Sequence, residues 1–323
     1  MWLQLRLYLL IALLFSILYG IIIVIGYLIG LQGSNFYLFI MVFAILLIFI
    51  QYLIGPKTVE WSMRVKYVTP NQYPKLFQMV QRLSEKANLP NPPKIGVSQL
   101  QIPNAFAFGR TQKDSRVCVT EGILQILDDE ELEAVLGHEI SHIKHRDMAV
   151  ITLLSVVPMV CYMLYISFFW GGMFNRRRDS GGMILIGFVA LFLYFITNLL
   201  VMYGSRIREY YADQGSIELG NKPHHLATAL YKLSLGSARV SKKTLKQAEG
   251  MKAFFVNDPS RALDEVRKIK DIDVDMSGTI DQNELMMLQT KKVRLTGSDK
   301  VLETLSTHPN MVKRIKQLAL MQQ

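Results

Sequence analysis

The sequence predicts a mainly α-helical integral membrane protein with a small α+β domain. Half of its 323 residues are hydrophobic, and they are concentrated in four uncharged blocks, residues 7–31, 36–54, 148–170 and 183–204. Most of these blocks are long enough to cross about 30 Å of hydrocarbon as helices, which satisfy their own backbone hydrogen bonds in lipid. Short strand-like stretches and amphipathic helices occupy the polar sequence between the blocks.

The chain accordingly divides into four segments. Residues 1–55 form a transmembrane hairpin whose first block, having no cleavage site, is retained as an anchor. Residues 56–147 form one polar half, and residues 205–323 form a second, mostly helical one. Residues 148–204 form a second apolar hairpin. Because the basic run 176–178 interrupts it, this hairpin is either transmembrane or re-entrant.

The sequence of the first polar half, residues 56–147, predicts both helices and strands. A helix at 73–87 is followed by a proline-broken loop, by short strands around 94–97 and 117–120, and by a helix that begins at Asp129. Acidic residues at the start of that last helix and basic residues at its end match the helix dipole. The segment is therefore typical of a small α+β domain.

The placement of charge predicts orientation and partners. Arg6 is the only ionised side chain before Lys57, and more basic residues follow the second block at Arg64, Lys66 and Lys75, so the polar halves should face the cytoplasm of a multi-pass cell-membrane protein. The net charge of +10 fits contact with anionic lipid of the bilayer. Nucleic acid is excluded as a partner because no aromatic-interleaved basic stripe or nucleic-acid module is present.

A metal site is predicted from the pentad at residues 138–142. His138 and His142 lie four residues apart on a helix, so both imidazoles face the same way and can hold one Zn²⁺, while Glu139 supplies a base. A catalytic zinc site takes three protein ligands, and His145 lies too far along the helix to be the third. Glu209 fills this place, and Asp213, one turn later, would orient a ligating imidazole. The alternative for Glu209 is a solvated pair with a neighbouring arginine.

These residues resemble the HtpX-type membrane metallopeptidases, which are related to the CAAX prenyl endopeptidases. The resemblance rests on four stretches that span nearly the whole chain: the pentad with His145-Arg146-Asp147, Glu209 to Asp213, Asn104-Ala105-Phe106-Ala107, and Thr307-His308-Pro309 with Arg314. It implies a zincin-like α+β catalytic domain, built from both polar halves, that degrades misfolded or damaged membrane proteins in protein quality control under stress. It also implies that His138, His142 and Glu209 ligate zinc and that Glu139 is the base.

The resemblance implies further site residues. In the expected mechanism, zinc acidifies a water molecule, Glu139 takes its proton, and the peptide carbonyl is attacked. His308 would donate a hydrogen bond to the oxyanion, with Tyr210 and Tyr211 as alternative donors. Asn104, Ala105 and Phe106 resemble an edge strand that holds an extended polypeptide substrate through main-chain hydrogen bonds.

A second metal site is predicted within an EF-hand-like insertion at residues 262–292. The twelve residues from Asp273 to Glu284 carry Gly278 at position 6 and fill every ligand position of a calcium loop. The calcium ligands would be Asp273, Asp275, Ser277, Thr279, Asp281 and Glu284. Calcium could modulate the enzyme by shifting His308, and the alternative is a metal-free acidic turn.

The sequence is also compatible with two other functions. A CAAX-type prenyl-peptide endopeptidase shares the zinc chemistry but has more apolar spans in that family. A non-catalytic, calcium-responsive membrane scaffold would need a closed structural zinc site, and neither cysteine lies near the pentad in sequence. The sequence predicts neither the physiological substrates nor the oligomeric state.

Overall fold

The computed structural model describes residues 9–10, 12–17, 19–21, 34–174, 180–240, 255–256, 262–270, 272–290 and 296–322. Helix predominates, with one small sheet, as the sequence predicted. In chain order the elements are α1 (Ser34–Ser62), β1 (Val65–Tyr67), α2 (Pro74–Lys86), β2 (Lys94–Ser98), β3 (Ala105–Gly109), a 3₁₀ turn (Gln112–Asp114), β4 (Ser115–Thr120), α3 (Glu121–Ile126), α4 (Asp129–Lys144), α5 (Asp147–Phe174), α6 (Ser180–Glu218), α7 (Pro223–Arg239), α8 (Ala262–Ile269), α9 (Gln282–Thr290), α10 (Gly297–Thr304) and α11 (Met311–Leu320).

The chain separates into two compact units. The first, called here the apolar unit, comprises Met1–Ile54 and Val150–Ile207, and the second, called the polar unit, comprises Gly55–Ala149 and Arg208–Gln323. Each unit is therefore assembled from two stretches of sequence.

The apolar unit contains helices suited to lipid. Among the described residues, Asp147–Trp170 and Gly181–Glu218 are long and apolar enough to cross a membrane. These two helices contain the third and fourth apolar blocks. The second block lies within α1, whereas most of the first block and the arginine run 176–178 fall outside the described residues.

Packing within the apolar unit depends on close helix approach. A Cβ atom added at Gly187 of α6 would lie 2.9 Å from the backbone nitrogen of Phe169 in α5, so only glycine permits this approach. Small residues at such crossings are typical of helices packed in membranes. Large side chains such as Leu185 and Phe192 are about two-thirds exposed, as lipid-facing residues would be.

The polar unit contains a four-stranded sheet in the order β1-β2-β4-β3. β2 and β4 are parallel, and the two outer strands run antiparallel to their neighbours. Among the described residues, β3 therefore lies at one edge of the sheet. The predicted strands agree with β2 and β4, whereas β1, only three residues long, was not predicted.

The two faces of the sheet pack on different cores. Ala105, Ala107, Val117 and Val119 belong to the larger core, which also contains buried residues of α2, α4, α7 and α11. Phe106, Phe108 and Cys118 alternate with them along the strands and face a smaller core. This alternation holds α4 against the sheet and fixes the helix that carries the pentad.

Candidate metal centre

The pentad lies on α4, a helix with both termini stabilised. Asp128 caps its start by accepting a hydrogen bond from the Glu131 backbone N–H, and the Glu131 side chain returns the interaction as a capping box. His138 and Glu139 are buried, at 1% and 4% exposure. Their positions are therefore set by the packing of α4 rather than by free side-chain rotation.

Glu209 and Asp213 come from the C-terminal part of α6, which approaches α4 closely. A Cβ atom added at Gly215 of α6 would lie 2.0 Å from Ser141 Oγ, and one added at Gly137 of α4 would lie 2.8 Å from Ser216 Oγ. Both glycines are needed for this backbone approach. Ser216 Oγ also donates to the Ala134 carbonyl at 2.6 Å, which joins the two helices directly.

Side-chain atoms of three residues converge on one point. Nε2 of His138 and Nε2 of His142 are 3.2 Å apart. Each lies 3.6 Å from a carboxylate oxygen of Glu209. Tetrahedral zinc with Zn–N bonds of about 2.0–2.1 Å separates two nitrogen ligands by about 3.3–3.4 Å, so the spacing matches this geometry.

Two carboxylates determine the tautomers of the imidazoles. Asp213 Oδ1 lies 2.9 Å from His138 Nδ1, and Asp147 Oδ2 lies 2.5 Å from His142 Nδ1. Each Nδ1 therefore carries the proton that is donated to its carboxylate, and each Nε2 presents a lone pair to the other. Two lone pairs at this distance repel unless a cation lies between them, and the arrangement thus fits a metal ion.

The electrostatic surroundings affect the two histidines differently. Burial and the neighbouring His138 lower the pKa of His142 to about 4, which favours the neutral, ligating form. Burial also opposes protonation of His138, but the hydrogen bond and charge of Asp213 outweigh it and raise the pKa of His138. A metal bound at Nε2 would take the place of that second proton.

Arg314 of α11 balances the acidic side of the site. Its side chain is fully buried, and it donates to Asp213 through Nε at 2.9 Å and Nη2 at 2.6 Å. Its Nη1 lies 3.1 Å from Glu209 Oε2. Burial would lower the pKa of Arg314, but the negative charges of Asp213 and Glu209 raise it.

The centre keeps polar atoms that no described residue satisfies. Both ring nitrogens of His308 are buried and have no hydrogen-bond partner among the described residues, while the contact of Glu209 Oε2 with Arg314 is an ion pair. His308 Nδ1 lies 3.6 Å from the same Glu209 oxygen. Buried polar atoms are normally paired, so these residues fit a centre completed by a metal ion and a small polar molecule.

A cavity of about 400 Å³ adjoins the centre on the His142 side. Phe108, Ile143 and Met148 supply apolar lining, and Lys113 and Arg146 supply basic groups. Of His138, His142 and Glu209, only His142 lines this cavity, and it is the most exposed of the three.

The predicted substrate strand lies at the sheet edge, but its side chains are buried. Asn104, Ala105 and Phe106 are at most 3% exposed. The Asn104 side-chain oxygen accepts from the Val256 backbone N–H at 2.9 Å, so that side chain has a structural contact. Any substrate binding here would use the backbone of β3.

The EF-hand-like loop lies elsewhere in the polar unit. Carboxylate oxygens of Asp273, Asp275 and Glu284 all lie within 4.8 Å of one another. Gly278 has φ +80°, as the predicted sharp turn requires, and helices α8 and α9 flank the loop. Its carboxylates accept backbone N–H groups of the loop, including Ser277 N–H on Asp273 at 2.9 Å.

Three further residues of the centre were not assigned from the sequence: Asp147, Arg208 and Arg314. Asp147 lies five residues after His142, a spacing that would not face it on a continuous helix. It reaches His142 because Arg146, with φ +56°, breaks the helical path between α4 and α5. Arg314 was noticed only as part of the resemblance, without a role.

Comparison with known proteins gives a consistent assignment. The family model described as "Peptidase family M48" matches residues 70–322. The protease HtpX homolog of Methanothermobacter thermautotrophicus is 52% identical over 72% of this chain and 86% of its own length. The corresponding protein of Moorella thermoacetica is 39% identical over 70% and 76%. Protease HtpX homolog 2 of Methanosarcina mazei is 34% identical over 88% and 85%.

A solved structure, that of S. mikatae Ste24p, covers 97% of this chain and 67% of its own at 16% identity, with a TM-score of 0.49. A likeness at this level supports no conclusion. The family match and the relatives, in contrast, each extend over more than two thirds of the chain. The chain therefore belongs to peptidase family M48 and is a membrane zinc metallopeptidase of that family.

Proposed function

We propose that His138, His142 and Glu209 bind the catalytic zinc ion and that Glu139 is the general base of peptide-bond hydrolysis. The observation that carries this proposal is the 3.2 Å separation of two lone-pair-bearing Nε2 atoms with Glu209 3.6 Å from each. Bound there, zinc supplies Lewis acid chemistry, which acidifies a water molecule and polarises a peptide carbonyl.

Glu139 moves the proton in this scheme. Its carboxylate accepts a proton from water while the remaining hydroxyl bonds to the carbonyl carbon. When the C–N bond breaks, Glu139 returns that proton to the leaving amine nitrogen. Its near-complete burial restricts the carboxylate to a position on α4 beside His138.

His308 donates to the developing oxyanion. Both of its ring nitrogens are buried without a partner among the described residues, so an N–H donor is free to serve a reacting group. Its place beside Glu209 keeps it near the three ligands. The edge-strand backbone at Ala105 and Phe106 of β3 aligns an extended substrate, whereas both backbone groups of Asn104 already bond to Thr120. Asp213 orients His138.

The proposal also covers the domain structure of the enzyme and its placement in the membrane. The two polar halves, residues 56–147 and 205–323, together form a zincin-like domain that faces the cytoplasm. Four apolar helices, two from each hairpin of residues 1–55 and 148–204, hold the enzyme in the cell membrane. An enzyme placed in this way would meet polypeptide ends and loops of damaged membrane proteins, which we propose as its substrates.

We further propose that the loop from Asp273 to Glu284 binds calcium. Support comes from its complete ligand pattern and from the convergence of its carboxylates. The Ile280 backbone donates to Thr228 Oγ1 at 2.9 Å and accepts from it at 3.0 Å. Thr228 lies on α7, which packs against α4 in the larger core. A change in the loop on calcium binding would therefore be transmitted through α7 to the helix that carries the pentad.

One comparison of variants tests the enzymatic proposal. Detergent-purified full-length protein and its Glu139→Gln variant are incubated with casein and with a prenylated peptide, and zinc is measured in both. We expect equal zinc content in the two proteins and much slower cleavage of casein by Glu139→Gln. Preference for the prenylated peptide would instead identify a prenyl-peptide endopeptidase, and casein cleavage by Glu139→Gln at the rate of the unsubstituted protein would reject the assigned base.

A further inference from the structure

Asp147 and Arg208 form a buried ion pair at the second zinc-binding imidazole. Arg208 Nη2 lies 2.8 Å from Asp147 Oδ2, with side-chain exposures of 5% and 9%. The same Oδ2 atom lies 2.5 Å from His142 Nδ1. One carboxylate oxygen therefore joins the imidazole to the guanidinium.

This chain of contacts repeats the arrangement at the first imidazole. His138 Nδ1 contacts Asp213, and Asp213 is held in turn by Arg314. His142 Nδ1 contacts Asp147, and Asp147 is held by Arg208. In both, a carboxylate accepts the Nδ1 proton and a buried arginine keeps that carboxylate in place, so both Nε2 atoms are directed at the same point.

The pair is a costly means of stabilising the fold alone. Arg208 Nη1 is buried and has no hydrogen-bond partner among the described residues. A buried ion pair whose donors are incompletely satisfied is commonly no more stabilising than apolar residues of the same size. The contact of Asp147 with His142 Nδ1 gives a reason for burying the ion pair at this position.

The two residues also occupy special places in the sequence. Asp147 is the first residue of α5, and the chain enters the apolar unit at Val150. Arg208 is the first residue of the polar unit after the chain returns from Ile207. The ion pair thus connects the residues on either side of the segment 150–207, which separates the pentad from Glu209 in sequence.

We propose that Asp147 and Arg208 are positioning residues that hold His142 in the tautomer and orientation needed to ligate zinc. The proposal rests on the metal centre assigned above. Without the Asp147 carboxylate the imidazole can rotate or take the other tautomer, and its Nε2 is then no longer committed to the metal. Loss of such a partner typically weakens metal binding by about 10–100-fold.

The test measures zinc binding rather than cleavage. Full-length protein in detergent is titrated with a competing chelator to obtain zinc affinity, and the visible spectrum of its Co²⁺-substituted form reports ligand geometry. We expect Asp147→Ala to weaken zinc binding by about 10–100-fold and to alter the cobalt spectrum. Asp129→Ala, which removes an exposed aspartate paired with Lys75, is the matched control and should change neither.

Two further variants keep the outcome decisive. Arg208→Gln leaves Asp147 in place and should weaken zinc binding less than Asp147→Ala. If Asp147→Ala does not fold, Arg208→Gln decides the question by itself. Zinc affinity equal to that of the unsubstituted protein, in Asp147→Ala or in a folded Arg208→Gln alone, overturns the proposal. His142→Ala should lose the ion, whereas full zinc retention by His142→Ala would reject the metal centre itself.

Discussion

The approach of α4 to α6 can be tested by adding one carbon atom at Gly215. In a Gly215→Ala variant the new Cβ would lie 2.6 Å from Ser141 Cβ and 2.0 Å from Ser141 Oγ. A rotamer change can move the oxygen, but it cannot move the Cβ atom. Ordinary carbon contact begins near 3.5 Å, so the helices must separate locally by about 1 Å.

That displacement is large on the scale of metal coordination. Ligand distances are held to within about 0.2 Å, and Glu209 lies on the same helix as Gly215. We therefore expect zinc affinity to fall at least about tenfold, as for loss of a ligand-orienting contact. Overpacking destabilises the folded state by about 1–3 kcal/mol, whereas replacing glycine with alanine in a helix stabilises it by about 0.5–1 kcal/mol. The free energy of unfolding should fall by about 0–2.5 kcal/mol.

The assay compares chelator competition and thermal unfolding for four proteins. Gly297→Ala adds the same atom where nothing lies within 4 Å and should behave as the unsubstituted protein does. Adding Ser141→Gly to Gly215→Ala removes the opposing side chain and should restore much of the zinc affinity. Unchanged zinc affinity in Gly215→Ala would show that the spacing of these helices does not place the third ligand.

Three further outcomes follow from the sites described. Glu139→Gln should lower the rate of peptide cleavage by about 10²–10⁴-fold with zinc retained, measured by casein release and metal analysis. Glu284→Gln should abolish the heat of calcium binding in isothermal titration, and identical proteolysis with and without calcium would exclude modulation. Replacing Lys113 and Arg146 with glutamate should reduce cleavage of peptides carrying an acidic residue beside an apolar one, measured against the matched basic peptides.

Much of the fold followed from local sequence patterns. The helices at α2 and α4 and the strands β2 and β4 are strongly patterned segments bounded by turn residues, and their positions agree with the prediction. β1 was not predicted because three residues carry too little alternation. The order β1-β2-β4-β3 could not be predicted either, since strand pairing depends on contacts distant in sequence.

The metal centre was predictable to the extent that its residues share a short motif. His138 and His142 face the same way because a helix repeats every 3.6 residues, and this requires no tertiary information. Asp147 was not assigned because its contact depends on the left-handed backbone of Arg146, a residue type that gives no indication of such a turn. Arg314 reaches Asp213 from α11, and no local pattern links the two helices.

The contacts between α4 and α6 also explain how residues distant in sequence are brought to fixed positions in the candidate metal centre. The pentad and Glu209 are separated in sequence by residues 150–207 of the apolar unit, so chain connectivity alone does not fix the position of Glu209. Gly137 and Gly215 set the spacing of the two helices. Asp147 and Arg208, which lie just before and just after residues 150–207 of the apolar unit, form an ion pair. The position of Glu209 relative to His138 and His142 therefore depends on contact between helices and on ion pairs outside these three residues, among them the pair of Glu209 with Arg314.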